Sequence, residues 1–349
     1  MKIRFIALAT FLCLMANFVA VSAADTRGKR GKRIRASRLV TLLPASDGII
    51  VFDSKRFLNE SLPGVLAANQ QTLSEIMRKL NETANRTGID LRKFDEVAVG
   101  INIKQVAPGN TDFDPVAIVS GDINAGTLIA VAKLASSGTY REEKVAGRTV
   151  YVIAAKDVLQ KTSGVTVTNS KITAAMDRAV IGLKDVAVAA FDQNSLVLGS
   201  YARVKETLEA RTHPGTDLTS LLNKNPTAIL NFAAKTPEGL DGMLPLGKDM
   251  LGDNLRSIQY VSGSLDIAAT GATLAIAART AKPEQAASLR STIDGLRAFG
   301  GLLAGSKRAD QQVYARMVKN VKVGNIGSDV TIDLVVPQAD IDTLISGVK

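Results

Sequence analysis

Tryptophan is absent from this 349-residue chain, aromatic residues make up 4% of it, and it holds one cysteine and one histidine. Each shortage excludes a class of chemistry. A carbohydrate platform of stacked rings has too few rings to be built. Zinc sites of the usual types need several Cys or His ligands, and these are not available. A Ser–His–Asp arrangement would have only His213 to use, and that residue stands beside Pro214 where the pattern reads as an exposed loop. No Gly-x-Ser-x-Gly elbow occurs. The single cysteine, Cys13, lies in the apolar N-terminal run, so the chain behind that run can form no disulfide and offers no thiolate. Phe11 and Leu12 precede Cys13 where a lipidation site requires small residues.

What is present first is an address. Lys2 and Arg4 open the chain, an apolar run covers residues 5–21, and Val21-Ser22-Ala23-Ala24 follows. Small residues at these spacings are what signal peptidase accepts, which predicts a signal peptide over residues 1–24, cut near Ala23 or Ala24, and a secreted or periplasmic protein. An N-terminal membrane anchor is the alternative. The run is short for a span and is interrupted by Asn17.

Behind the signal comes a concentration of charge. Residues 25–38 hold seven cations, Arg27, Lys29, Arg30, Lys32, Arg33, Arg35 and Arg38, against Asp25 alone. The formal net charge of the chain is +10, yet residues 39–349 keep only about +2 of it. The basicity therefore belongs to one short, Gly-containing segment without periodicity, read as a flexible arm, and the body is nearly neutral. Such an arm suits an anionic envelope surface, lipid or wall polymer. Nucleic acid is not expected, because the segment has no aromatic residue to stack on bases and the protein is read as exported.

The body reads as α+β, in two similar repeats, each a mostly antiparallel sheet with helices packed on one face. The first repeat, residues 39–211, opens on a strand at 48–52. A helix carrying Leu73, Ile76, Met77 and Leu80 follows and stops at Gly88. Alternation at Val97, Val99, Ile101 and Ile103 gives a strand, residues 115–119 another, and Leu128, Ile129, Ala132 and Leu134 a second helix. Ala146-Gly147 marks a hairpin. Residues 156–184 read as a polar excursion. Residues 186–191 and 196–198 then pair, and Gly199-Ser200 caps a helix. The boundary is expected at 211–215.

The second repeat, residues 216–349, has a strand at 228–232, a helical stretch with Leu240, Met243, Leu246 and Met250, and a long hairpin about Thr270-Gly271. A helix opening at Pro283-Glu284 is expected to bury Leu289, Ile293 and Leu296, with strands at 318–323 and 330–336 closing the sheet.

Leu43-Pro44-Ala45-Ser46-Asp47 leading into a strand, and Leu196-Val197-Leu198-Gly199-Ser200 leading into a helix, resemble segments of an uncharacterised family of secreted bacterial proteins. Those proteins open on a similar LPA-x-D segment and repeat an α+β unit. The resemblance covers residues 39–210 and, more loosely, the end from Asn325. It implies architecture and carries no catalytic residue across.

Several constellations invite chemistry and fall short. Residues 242–249 approach a phosphate-binding loop, but Asp249 stands where a Ser or Thr must hold magnesium. Asn110-Thr111-Asp112-Phe113-Asp114 alternates oxygen ligands as calcium loops do, but Pro115 occupies the glycine position; a polar loop is the plainer reading. Asp53 is the acid best placed for attention, with helix capping as its ordinary role. The sequence thus predicts no catalytic, cofactor or metal site. It predicts an exported non-catalytic protein that binds or has a structural role in the envelope. A carboxylate-based hydrolase and a carrier of an apolar ligand between the two repeats are the alternatives.

Overall fold

A computed structural model describes residues 37–107, 110–136, 139–154, 185–222, 224–237, 252–300 and 309–346. The signal, the basic segment up to residue 36, the excursion at 156–184, the stretch from Leu240 to Met250 and the phosphate-loop resemblance lie outside these residues.

The body is α+β, built on one twelve-stranded antiparallel sheet. In chain order the strands are β1 (Gly48–Asp53), β2 (Phe94–Ala107), β3 (Asn110–Gly121), β4 (Arg141–Val145), β5 (Arg148–Ala154), β6 (Asp185–Asp192), β7 (Ser195–Gly199), β8 (Leu230–Lys235), β9 (Ile258–Ala268), β10 (Gly271–Thr280), β11 (Lys322–Ile326) and β12 (Asp329–Pro337). Their order across the sheet is β11-β12-β10-β9-β8-β1-β2-β3-β7-β6-β5-β4. The seam lies between β1 and β8, where Ile49 faces Ala233 and Val51 faces Asn231. From that seam, β1-β2-β3-β7-β6 runs outward one way and β8-β9-β10-β12-β11 the other, and the hairpin β4–β5 extends only the first arm. The sheet is continuous across the boundary expected at 211–215.

Among the described residues, seven longer helices accompany it: α1 (Gln70–Thr87), α2 (Ala125–Ala135), α3 (Tyr201–Glu209), α4 (Thr216–Leu222), α5 (Pro283–Gly300), α6 (Ala309–Asn320) and α7 (Gln338–Ser346). They do not share one face. On the front, Phe52, Val97, Val119, Leu265 and Val336 pack with Phe57, Leu62, Leu80 and Ile341, which brings in the helical run 54–65, α1 and α7. Helices α2 and α5 lie on the same side through Ile129 and Leu289. On the back, Ile49, Ala98, Val116, Ile118 and Val197 pack with Val40, Val204, Leu208, Leu218 and Leu222, from the turn Val40–Leu42, α3 and α4. The expectation of helices on one face is therefore corrected to helices on both. The cause is visible in β1, where Ile49, Ile50, Val51 and Phe52 are all apolar, so neither face of the strand is suited to water.

Local chemistry explains most element ends. Asn69, Asn124 and Ser200 each accept from a backbone N–H in the first turn of the helix that follows. Gly88 ends α1 at φ 72°. Ala146 and Gly147, at φ 47° and 77°, form the turn between β4 and β5.

Three further expectations are corrected. Residues 110–114 continue β3 and pair with β2 instead of looping. Val318 belongs to α6, and the strand begins at Lys322. Leu296 on α5 is 44% exposed rather than core.

Candidate functional site

Three groups of side chains meet where the chain enters the fold. The first is the turn that the family resemblance singled out. Pro44 and Ser46 are buried, and Ser46 Oγ donates to the Pro44 carbonyl and accepts from Arg203 Nη2 at 2.8 Å. Arg203 is 1% exposed, in α3, and its Nη1 also bonds Glu206. The Asn102 amide, oriented to satisfy both neighbours, bridges the Ala45 carbonyl and Arg203 Nη1 at 3.1 Å each. Asp47 holds the other end: its carboxylate accepts from Ile103 N, its N–H donates to the Ile101 carbonyl, and its own carbonyl accepts from Lys235 N in β8. Ala45 N donates to Thr212 Oγ1 in the connection between the arms of the sheet. One turn thereby ties β2, α3, β8 and that connection. Gly100 lies beneath it; a Cβ there would stand 2.5 Å from Ser46 Oγ, so nothing larger fits without movement. The two resembling segments are thus joined, with Ser200 capping the helix that delivers Arg203. These bonds hold Arg203 between α3, β2 and the turn at residues 44–47.

The second group is acidic. Asp53 and Glu96 are partners across β1 and β2, which sets their side chains on the same face. Burial raises the pKa of Asp53, against the opposing hydrogen bond from Arg56 N that makes Asp53 the cap of the helical turn Ser54–Arg56. Burial also raises Glu96, assisted by the charges of Asp53 and Asp95 and opposed by a hydrogen bond with Ser37. Two neighbouring carboxylates with raised pKa are the raw material of acid–base chemistry. Here one carboxylate is occupied in capping and the other in holding Ser37.

The third group is a cavity of about 450 Å³ lined by Ser37, Val40, Thr41, His213, Pro214, Thr219 and Leu222. Its floor reaches core residues, since Val40 and Leu222 are 4% and 6% exposed. Its walls come from the turn at residues 40–42, the connection at 211–215 and α4. No acid lines it, and neither Asp53 nor Glu96 is among its residues; Ser37 is the link between the acids and the cavity.

Of the seven cations singled out by charge, Arg38 is described. It is exposed at the first turn of the fold, its carbonyl accepts from Thr41 Oγ1, and its charge helps lower the pKa of Asp192, behind the stronger hydrogen bond from Ser195. Arg27, Lys29, Arg30, Lys32, Arg33 and Arg35 lie outside the described residues. Among those residues, no cluster of His, Cys, Asp or Glu has the arrangement to hold a metal ion, and no helix is long and apolar enough to cross a membrane. In β3, Asp112 accepts from the backbone N–H of Phe113 and Asp114 pairs with Lys104 at 2.9 Å.

Sequence reasoning missed Arg203, Glu96 and the cavity. Arg203 and Glu96 are ordinary charged residues in a polar context, and only strand register and helix docking bury them. The cavity needs residues 37–41 beside residues 213–222, a contact with no local signal.

No protein-family model matches the chain, and no curated protein matches it. Among solved structures, it is similar to crystal form III of TP0453, at 11% identity over 88% of this chain and 98% of that one, with a TM-score of 0.44. Crystal form I of TP0453 matches at 11% identity over 90% and 98%, with a TM-score of 0.41.

Proposed function

We propose that this is an exported, non-catalytic protein of the cell envelope, with two α+β repeats, whose basic segment attaches it to an anionic surface. The observation that carries this reading is the distribution of charge: seven cations stand in residues 25–38, and the 311 residues that follow hold about +2. Each cation near a surface of anionic lipid contributes about 1 kcal/mol of attraction, so seven acting together suffice for attachment without any apolar insertion. Arg38, the one described member of the set, is exposed at the start of the described residues, which supports this reading. The near-neutral body neither competes strongly for the arm nor repels the surface.

The carboxylate-hydrolase reading has one supporting observation, the Asp53–Glu96 pair. It is the weaker reading, because neither acid borders the cavity and both are already engaged within the protein. Attachment is tested by cosedimentation with vesicles of anionic or zwitterionic lipid. Deleting residues 25–38 abolishes binding to the anionic vesicles under this reading. Equal binding by the truncated protein would contradict it.

A further inference from the structure

The cavity at the entry to the fold has the form of a binding site for a single-chain anionic amphiphile, and we propose that it takes the chain of a long-chain carboxylate. This goes beyond attachment and rests on that reading only for where the ligand is met. Ligand sites commonly measure about 300–1,000 Å³ and combine an apolar lining with a few placed polar groups. This one measures about 450 Å³, and its lining divides in that way. Val40 and Leu222 belong to the back-face core and, with Pro214, give an apolar floor and wall for methylenes. Thr41, Thr219, Ser37 and His213 supply the polar groups. Ser37 hydrogen-bonds Glu96, and Thr41 and Thr219 bond backbone carbonyls, which leaves the exposed His213 imidazole as the group for a carboxylate to engage.

The charge around the site selects the sign of the head. None of the seven lining residues is acidic. The exposed Arg38 follows the lining residue Ser37 directly. A cationic head would meet that like charge, a neutral head would gain nothing from it, and a carboxylate is drawn to it. The cavity also sits between the turn at 40–42, before the first arm of the sheet, and α4, before the second, so a bound chain would bridge the two starts.

His213 is the only histidine and tryptophan is absent, so the protein carries its own reporter and an empty fluorescence channel. The purified protein is titrated with laurate below its micellar range, following the single imidazole Hε1 resonance, beside a dodecyl glycoside and dodecyltrimethylammonium. A saturable one-to-one shift with laurate is expected, at least tenfold weaker with the other two. Thr219→Trp, which fills the cavity, abolishes the shift while circular dichroism and a buried-type indole emission report an intact fold, and Thr41→Trp, on its exposed rim, weakens it with an unchanged circular dichroism spectrum. No saturable shift, an equal response to all three amphiphiles, or an unchanged shift in both folded variants overturns the proposal. The attachment reading fails separately. A protein that binds laurate but not anionic vesicles keeps the cavity and loses attachment, and one that binds vesicles through residues 25–38 without a laurate shift does the reverse.

Discussion

The back of the sheet is one surface with two chemistries. From β1 to β5 it presents Ile49, Ala98, Val116, Ile118, Val150, Val152, Ala187, Ala189 and Val197, buried beneath the turn at 40–42, α3 and α4. From β8 outward the same face carries Asn231, Ser262 and Ser264, then Arg279 paired with Asp329 across β10 and β12, and Thr331 and the exposed Asp333. Asp329 is held by Arg279 Nε and Nη2 at 2.7 and 2.9 Å and by Lys224 Nζ at 3.1 Å. Both halves pair their strands equally well. They differ in what secures the face: burial of apolar surface in one, charge-assisted hydrogen bonds in the other. The teaching is that strand order alone does not set where stability resides. Helix α3 packs on the first half alone, and α4 packs on β8 and β9 beside the seam.

The comparison breaks most readily by truncation in the apolar half. Ile118 is fully buried, and Ile118→Ala is expected to lower the unfolding free energy by about 3–4 kcal/mol, read from urea denaturation, because both transfer energy and packing are lost. Asp329→Asn in the polar half is expected to cost only about 1–2 kcal/mol, since its partners are half exposed and water replaces part of what is lost. Equal losses at the two positions would dissolve the distinction.

A smaller effect sharpens it through pH. Arg279 and Lys224 hold the Asp329 carboxyl below its ordinary 3.8, so its contribution is complete above that value and is lost as pH falls through the lower folded pKa. Burial acts the other way at Asp53 and Glu96, whose ordinary values are 3.8 and 4.5. Folding binds those protons more tightly, so their contribution is present in acid and is lost as pH rises from the ordinary values through the raised ones. In melting curves against pH, Asp329→Asn is expected to flatten the acid limb. Asp53→Asn with Glu96→Gln is expected to flatten the decline above about pH 4 and to raise Tm modestly at neutral pH. A double variant with a lower Tm at pH 7 would contradict the assignment.

The sequence made much of this fold readable where the chemistry is local. Ser200 as a cap, Gly88 as a stop, Ala146-Gly147 and Thr270-Gly271 as hairpin turns, and Asp53 as a cap are each decided by a few neighbouring residues. Errors occur where a distant partner decides. Residues 110–114 carry loop-like composition, yet the edge offered by β2 pairs them into a strand. Val318 is β-branched but finishes a helix packed through Val313 and Met317. Leu296 keeps the helical spacing of Leu289 and Ile293, but remains 44% exposed toward the end of α5. The concentration of cations in residues 25–38 is plain in the sequence because charge needs no partner to be counted. The Asp53–Glu96 pair depended on strand register, and the cavity depended on two segments about 170 residues apart in the chain, as the Ala45–Thr212 bond also shows.

The central claim is that attachment resides in the charge of residues 25–38 and not in the body. The most direct test replaces Arg27, Lys29, Arg30, Lys32, Arg33, Arg35 and Arg38 by Gln in the otherwise complete chain and measures affinity for anionic vesicles as salt is raised from about 0.05 to 0.3 M. The unaltered protein is expected to lose binding steeply over that range, and the neutralised protein to bind weakly at every salt concentration. A neutralised protein that still binds tightly, or wild-type binding indifferent to salt, would show that the surface is engaged by something other than this charge.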